Sequence, residues 1–432
     1  MVGRHSRLRC QLKKEQNVLE RVYEPGRLLE AWRQVKSNAG AAGVDQMTVA
    51  EFERRKEELF PLIRDKLIAG TYRFKPARRV SIPKEGSPGK FRNLGIPVVM
   101  DRIVAQSIHA TLDEIYDAGF SPGNFGFRKG RSQHEAIRYV RETVKQGHRW
   151  CVSVDLKSYF DEIPHNLILK LIRRRIADER LVTLIARALK AGVVVEGKLE
   201  KTAKGVPQGS PLSPILSNIV LNEMDQELDT RGLTYARWAD DFVILVKSPR
   251  SAQRVMQRIT RYLEETLGLP VNREKSEVAL MREVTFLGFR IYRHRIRVSD
   301  QAIARFKRRV HALTHRNNPK SMQRIIEELN LFLRGWANYF RIQEFKTLFG
   351  SLDDWVRGRL RSMQLAKWKK PKKFQRAMIT AGVPAWRARR VWVAMRSWQS
   401  ASRREVLRVL NADWFRSLGL VFLQEYSAAS TS

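Results

Sequence analysis

The sequence has little cysteine, little acidic charge and no long apolar run, and each absence excludes a class of protein. The 432 residues include two cysteines, Cys10 and Cys151, too few for a disulfide framework or a cysteine-based zinc site. No apolar run reaches the roughly 18 residues that a membrane-spanning helix needs. Residues 1–16 are basic and lack the apolar core of a secretory signal. The sequence therefore predicts a cytoplasmic protein that does not span a membrane.

The shortage of acidic residues leaves a large positive charge. The chain has 81 Lys and Arg residues and 44 Asp and Glu residues, which gives a net charge of +37. A polyanionic partner explains this surplus most simply, with nucleic acid first and an anionic membrane surface as the alternative. Residues 301–432 hold 27 Lys and Arg against 8 Asp and Glu. A solvated helical surface is the alternative explanation there, but a surplus of this size favours phosphate contacts.

Two adjacent carboxylates separate two apolar segments within residues 235–246. Residues 242–246 are rich in β-branched and aromatic side chains, which predicts a buried strand. The residues before them predict a second strand, with a tight turn at Ala239 and Asp240. Burying Asp240 beside Asp241 is unfavourable unless a cation meets them. The pattern therefore indicates either a divalent metal site on a hairpin or a solvated Asp-Asp turn.

A third carboxylate follows another predicted strand. Residues 150–155 alternate in polarity, which places Val152 and Val154 on one face and Asp155 at the strand end on the more polar face. Three carboxylates on neighbouring strands can hold two Mg²⁺ ions, or Mn²⁺ in their place. Such a pair would activate a 3′-hydroxyl and stabilise a leaving pyrophosphate. This chemistry is nucleotidyl transfer.

Three further segments suit nucleotides or nucleic acid. A Gly- and Pro-rich loop, residues 205–214, opens a predicted helix that ends near residue 231, and N–H groups at a helix start suit a nucleotide. Residues 72–97 predict a basic hairpin that can bind phosphates, with a solvated ribbon as the alternative. Residues 120–131 interleave aromatic and basic side chains, as single-strand binding requires. Other helices are predicted over residues 19–36, 52–67, 101–115, 132–146 and 163–175.

Together these blocks resemble reverse transcriptases, most closely the maturases encoded by bacterial group II introns. The matching blocks are Gly43–Asp45, Arg92–Pro97, Asp101–Val104, Phe120–Arg131, Asp155–His165, Gly205–Asn218, Arg237–Asp241, Gly268–Ser276, Phe286–Phe289 and Phe332–Phe340. The resemblance implies an α+β, right-hand polymerase fold with fingers, a palm with an antiparallel sheet, a helical thumb and a C-terminal α-helical maturase-like domain. We predict an N-terminal extension and fingers over residues 1–150, palm over 151–298, thumb over 299–365 and a basic RNA-binding segment over 366–432.

The resemblance also implies catalytic and nucleotide-binding roles. Asp155 and Asp240 would be the main Mg²⁺ ligands, with Asp241 assisting. Phe160 would sit under the incoming sugar and favour dNTPs by clashing with a 2′-hydroxyl, although an ordinary core aromatic is the alternative. The other residues expected to contact or orient the nucleotide are Lys84, Arg92, Gln208 and Lys275. For Lys275, an ordinary surface lysine is the alternative.

Other residues are expected to contact nucleic acid. Trp238 stands where the family usually has Tyr or Phe, so primer placement or fidelity is expected to differ. The segment from Trp368 to Phe374 predicts a basic linker, and the tryptophans of this region are read mainly as helix core. The residues expected to contact nucleic acid are Arg128, Arg131, Trp238, Lys369, Lys370, Lys372, Lys373, Arg389 and Arg390.

The sequence thus predicts an RNA-directed DNA polymerase that also binds intron RNA for splicing and mobility. Its partners would be structured intron RNA, an RNA template with a DNA primer, and dNTPs, with no membrane; the oligomeric state is left open. No cysteine follows Cys151, so the Cys-bearing nuclease of many relatives is not expected. Alternatives are a splicing maturase with little polymerase activity, an RNA-dependent RNA polymerase, and a domesticated relative in repair or phage defence.

Overall fold

The computed structural model describes residues 14–83, 89, 91–368, 370–380, 382–393 and 401–426. The chain mixes helices with mainly antiparallel sheets, as predicted, and separates into two compact units, Met1–Val284 and Thr285–Ser432. The predicted boundaries at residues 150, 298 and 365 do not coincide with this division and stay predictions. In the described ranges, no helix is both long and apolar enough to cross a bilayer.

Several helices of the first unit begin where the sequence supplies a capping side chain or a proline. Ser132 caps one helix in the reciprocal arrangement with Glu135. The helix predicted over residues 19–36 is two helices, because Pro25 lacks an N–H and Glu24 caps the second of them. The helices are α1 Val18–Tyr23, α2 Pro25–Ser37, α3 Val49–Arg54, α4 Lys56–Ile68, α5 Val99–Tyr116, α6 Gln133–Lys145, α7 Tyr159–Glu162, α8 His165–Ile172, α9 Glu179–Leu189, α10 Ser213–Thr230 and α11 Pro249–Arg261.

The described strands form two four-stranded sheets and one separate pair. The strands β1 to β10 are Ala77–Pro83, Phe91–Ile96, Trp150–Val154, Val193–Val195, Lys198–Glu200, Thr234–Trp238, Asp241–Val246, Glu277–Leu280, Phe289–Tyr292 and Arg295–Val298. The first sheet has the order β2-β1-β4-β5, and the second has the order β6-β7-β3-β8. Strands β9 and β10 pair with each other in the second unit.

The second sheet carries the predicted palm motifs. Strand β3 pairs antiparallel with β7 and β8, so Val152 lies opposite Ile244 on one side and Val278 on the other. Val152, Val154 and Ile244 belong to the core of the first unit. Fully burying a side chain of this size contributes roughly 1.5–3 kcal/mol. The alternation predicted for residues 150–155 is thereby confirmed as a strand.

The second unit is helical after its β-pair. Trp336 packs in an aromatic core, with its ring centroid 4.6 Å from that of Phe306. The predicted linker over residues 368–374 is wrong, because Pro371 begins a helix and Phe374 is fully buried. Its helices are α12 Asp300–Leu313, α13 Met322–Phe340, α14 Thr347–Lys367, α15 Pro371–Thr380, α16 Ala385–Val393, α17 Arg404–Val409 and α18 Ala412–Ser417.

Candidate active site

A two-residue turn presents the paired aspartates. Trp238 pairs with Asp241 across the hairpin of β6 and β7, so Ala239 and Asp240 form the turn itself. This confirms the predicted strand, turn and strand. Ala239 has φ of 58°, in the left-handed region, which costs a non-glycine residue about 1–2 kcal/mol. The surrounding fold must therefore hold this turn in place.

The third aspartate lies beside this turn. Val154 of β3 pairs with Phe242 of β7. The next residues along the two antiparallel strands, Asp155 and Asp241, therefore lie opposite each other. Burial raises the pKa of Asp240 above its usual value, and the nearby charge of Asp155 raises this pKa further. The charge of Arg92 acts in the opposite direction on the same carboxyl. The structure thus brings Asp155, Asp240 and Arg92 within electrostatic reach of one another.

The donor chemistry of these aspartates fits a divalent cation. Carboxylate oxygens are the hard ligands that Mg²⁺ prefers, and a cation would relieve the repulsion between Asp155 and Asp240. Asp241 begins β7 with an exposed side chain. Within the described part of the chain, no three acidic, His or Cys side chains already stand close enough to form a metal site. The two coupled carboxylates therefore carry the case for metal binding.

The block after α11 fixes the backbone around Asp155. The Asp155 N–H donates to Ser276 Oγ at 3.0 Å, and the Asn272 N–H donates to the Asp155 carbonyl at 2.8 Å. Lys275 Nζ stands 3.6 Å from Asp155 Oδ2, with both side chains substantially exposed. The lysine thus lies beside the acidic site, where it was expected, and its role stays a prediction.

A buried ion pair between Arg237 and Asp225, which we did not predict from the sequence, is joined to the turn by a hydrogen bond. Arg237 and Asp225 are both fully buried, and Arg237 Nε donates to the two Asp225 carboxylate oxygens at 2.9 and 3.0 Å. Arg237 Nη1 also donates to the Ala239 carbonyl and to Asn218 Oδ1, each at 3.0 Å. An arginine among the apolar and aromatic residues of the second predicted strand was the signal, because a charge buried in such a strand requires a partner.

The loop at residues 120–131 packs directly against the same hairpin. The Phe125 N–H donates to the Arg237 carbonyl at 2.9 Å, and the Asn218 side chain donates to the Gly126 carbonyl at 2.8 Å. A Cβ atom added at Gly126 would lie 2.3 Å from the Ala239 nitrogen. Only glycine permits this approach, so the loop acts as a support for the aspartate turn.

The same loop corrects one expected nucleic-acid contact. Arg128 Nε donates to Asp117 Oδ1 at 2.6 Å, and Arg128 Nη1 donates to the carbonyls of Ser121 and Asn124 at 3.1 and 3.2 Å. Its side chain is only 9% exposed. This geometry argues against the expected contact, because the guanidinium group is committed inside the fold. Arg131 is exposed, with its guanidinium 5.4 Å from the Phe125 ring centroid.

Backbone hydrogen bonds join the Phe160 segment, the Pro-Gln-Gly loop and β2. The Val206 N–H donates to the Phe160 carbonyl at 2.7 Å, and the Gly95 N–H donates to the Gln208 carbonyl at 2.7 Å. The Phe160 ring is half-buried and lies 5.3 Å from the Tyr159 ring, centroid to centroid. Lys84, which was also expected to contact the nucleotide, lies outside the described residues.

The C-terminal basic residues face solvent. No ion pair is found at any of them within the described ranges, which leaves their charges available to a partner. Lys369 lies outside the described residues. Trp238, beside the turn, is half-buried. The exposed basic residues are Lys370, Lys372, Lys373, Arg389 and Arg390.

Comparison with known proteins gives two family matches in order along the chain. Residues 82–291 match the family described as reverse transcriptase (RNA-dependent DNA polymerase). Residues 303–380 match the maturase-specific domain of group II introns. A solved Cas6-RT-Cas1–Cas2 complex is 23% identical, with a TM-score of 0.36 over 58% of this chain and 41% of that chain.

Two curated relatives extend these matches. Protein YkfC of Escherichia coli (strain K12) is 35% identical over 329 residues, which cover 67% of this chain and 86% of YkfC. The group II intron-encoded protein LtrA of Lactococcus lactis subsp. cremoris is 33% identical over 252 residues, covering 58% of this chain and 40% of LtrA. With both domain matches in place, the chain belongs to the family of group II intron-encoded reverse transcriptases, RNA-directed DNA polymerases that also carry a maturase domain.

Proposed function

We propose that this enzyme synthesises DNA on an RNA template at the site of Asp155, Asp240 and Asp241, with two Mg²⁺ ions as cofactors. The observation that carries the proposal is the strand register, which places Asp155 at the end of β3 beside the turn that carries Asp240 and Asp241. Bound at these oxygens, the cations would activate the primer 3′-hydroxyl and stabilise the leaving pyrophosphate. The protein itself supplies a fixed turn and a placed backbone, so reorganisation during the reaction is small.

The incoming dNTP is proposed to lie between the first sheet and the aspartates. Arg92 supports this placement, since its charge reaches Asp240 and guanidinium groups suit phosphate oxygens. Gln208 is tied through its carbonyl to Gly95 on the same strand. Phe160 would exclude a 2′-hydroxyl by contact with the sugar. The part assigned to Lys84 rests on the family resemblance alone.

The second proposed role is binding of a structured intron RNA for splicing and mobility. The match of residues 303–380 to the maturase-specific domain favours it, as do the exposed cations on α15 and α16. Backbone contacts would dominate, because A-form RNA is recognised mainly by shape and by its 2′-hydroxyls. A cytoplasmic location, beside the RNA it would bind, belongs to this proposal and is testable by cell fractionation.

Primer extension tests the catalytic proposal. Wild type, Asp240→Asn and the matched acid-to-amide control Glu283→Gln would be compared on poly(rA)/oligo(dT) with dTTP and Mg²⁺ at low, stated salt. Glu283 is exposed and its carboxylate is paired with Arg282, so its loss should leave synthesis unchanged. We expect Asp240→Asn to lose at least about 100-fold in rate, on the scale of removing one group that stabilises transition-state charge. Full activity in folded Asp240→Asn would overturn the assignment.

A further inference from the structure

A groove on the first unit is lined by none of the residues assigned to the candidate active site. It runs between the end of α10 and helix α11 and has a volume of about 380 Å³. That volume falls in the range of roughly 300–1,000 Å³ typical of ligand sites. Leu228 and Ile259 are buried along it, and the half-buried ring of Tyr262 forms part of its lining. The groove therefore combines an apolar floor with an aromatic side chain.

Arginines line the walls of this groove. Arg254 and Arg258 lie one turn apart on α11, which has no acidic residue in its length. Both side chains are exposed, and neither makes an ion pair within the described ranges. Arg231 adds a third guanidinium group, whose Nε donates to Glu227 Oε1 at 2.7 Å. Two uncompensated cations over an apolar floor suit a ligand that has both phosphates and a flat apolar surface.

This groove does not belong to the primer–template site. Helix α11 packs against β3, β7 and β8. Its buried Ala252 and Ile259 belong to the same hydrophobic core as Val152 and Ile244, so α11 covers that face of the second sheet. Because strand side chains alternate between faces, the series that ends at Asp155 points to the other face. A nucleic acid in the groove would therefore be separate from the strand being copied.

We infer that the groove between α10 and α11 binds an unpaired loop of a structured RNA. Arg254 and Arg258 would contact consecutive phosphates, and a splayed base would lie on the apolar floor against Tyr262. Unpaired bases suit such a floor, whereas the bases of a duplex are stacked inside it and present only phosphates and groove edges. The inference extends the proposed RNA-binding role to a second surface and rests on that role.

Charge reversal at the groove tests this inference against a control on the same helix. The test variant is Arg254→Glu with Arg258→Glu. The control is Arg250→Glu with Arg261→Glu, which changes the charge of α11 equally at residues that do not line the groove. Affinity would be measured by fluorescence anisotropy at 150 mM salt, for an RNA hairpin with a 12-nucleotide loop and for a blunt RNA duplex of equal length. Primer extension on poly(rA)/oligo(dT) would be recorded for each protein.

We expect the groove variant to lose about 10-fold in hairpin affinity and the control less than about 3-fold, with primer extension unchanged in both. In the groove variant, the slope of log K against log salt should fall by about two, which corresponds to the loss of two phosphate contacts. Equal losses in the two variants, no loss, or an equal loss for duplex and hairpin would overturn the inference. If wild type binds neither RNA, the proposed RNA-binding role itself fails. Arg254→Gln with Arg258→Gln provides a milder variant should the reversal unfold the protein.

Discussion

Arg237 shows how one buried residue can hold the turn that carries the candidate catalytic aspartates. Its guanidinium joins the carboxylate of Asp225 to the carbonyl of Ala239, so charge pairing and turn geometry depend on the same side chain. Buried pairs often contribute little net stability, because desolvation offsets their attraction. Removing one partner is different, since it leaves an unpaired charge in the core. Arg237 is therefore a positioning residue, and loss of its side chain should affect both stability and turnover.

We expect Arg237→Gln to lower the free energy of unfolding by about 3–5 kcal/mol, the cost of breaking a buried pair. Urea denaturation would measure this change, with Arg138→Gln as an exposed control on α6. The double variant Arg237→Met with Asp225→Leu should recover most of the stability. It should not recover the primer-extension rate, because the Ala239 carbonyl would still lack its donor. Recovery of both properties would show that Arg237 has no positioning role.

At the scale of elements, the candidate active site is a contact between a hairpin and a loop. The turn of β6 and β7 is held on one side by α10, through Asn218 and Asp225, and on the other by the loop at residues 120–131. Close packing at Gly126 makes the arrangement sensitive to a single methyl group. The aromatic and basic residues of this loop predicted single-strand binding. In the structure, Gly126 packs against the aspartate turn and Arg128 is bonded within the loop region.

Gly126→Ala is expected to reduce the primer-extension rate by at least about 10-fold. The new methyl group would displace the Ala239 nitrogen and, with it, Asp240. A misplacement of about 1 Å can reduce a catalytic rate by about 100-fold. Gly130→Ala in the same loop is the control. Its Cβ would meet nothing within 4 Å, although its φ of 72° adds strain of about 1 kcal/mol. Circular dichroism would verify folding of both variants. Equal rates in the two variants would contradict the steric argument.

At the scale of the whole molecule, charge decides the class of partner. The net charge of +37 is carried by both units, and the exposed lysines of α15 extend it into the maturase-specific region. Binding to RNA should therefore weaken steeply as salt is raised, since phosphate contacts release counterions. Synthesis on a short homopolymer should depend on the aspartate site far more than on these cations.

Replacing Lys370, Lys372 and Lys373 together by Gln should weaken binding of a structured RNA and lower the slope of log K against log salt by about two to three. Filter binding between 50 and 300 mM salt would measure the slope. Replacing Lys190, Lys198 and Lys201, three exposed lysines of the first unit, by Gln serves as the control for the same loss of charge. An unchanged slope in the triple variant would exclude these lysines from the RNA contact.

The sequence alone determined the local parts of this protein and the order in which they occur. Alternation over residues 150–155 and the apolar run after Asp241 specified two strands, because side chains on a strand alternate regardless of what packs against it. The tight turn at Ala239 and Asp240 followed from its position between those runs. Pro25 contained the information for the helix break that we overlooked, since its missing N–H acts locally.

Only the tertiary structure decided which distant groups meet. The sequence predicted a nucleic-acid contact for both Arg128 and Arg131. In the structure, Asp117 and two carbonyls bind the Arg128 guanidinium inside the fold, whereas Arg131 is exposed. Asp225 and Arg237 became partners because α10 packs on β6 and water is excluded between them. Such pairings depend on burial, which strengthens an ion pair and penalises an unpaired charge. Local pattern therefore gave the candidate catalytic acids, and packing gave the residues that hold them in place.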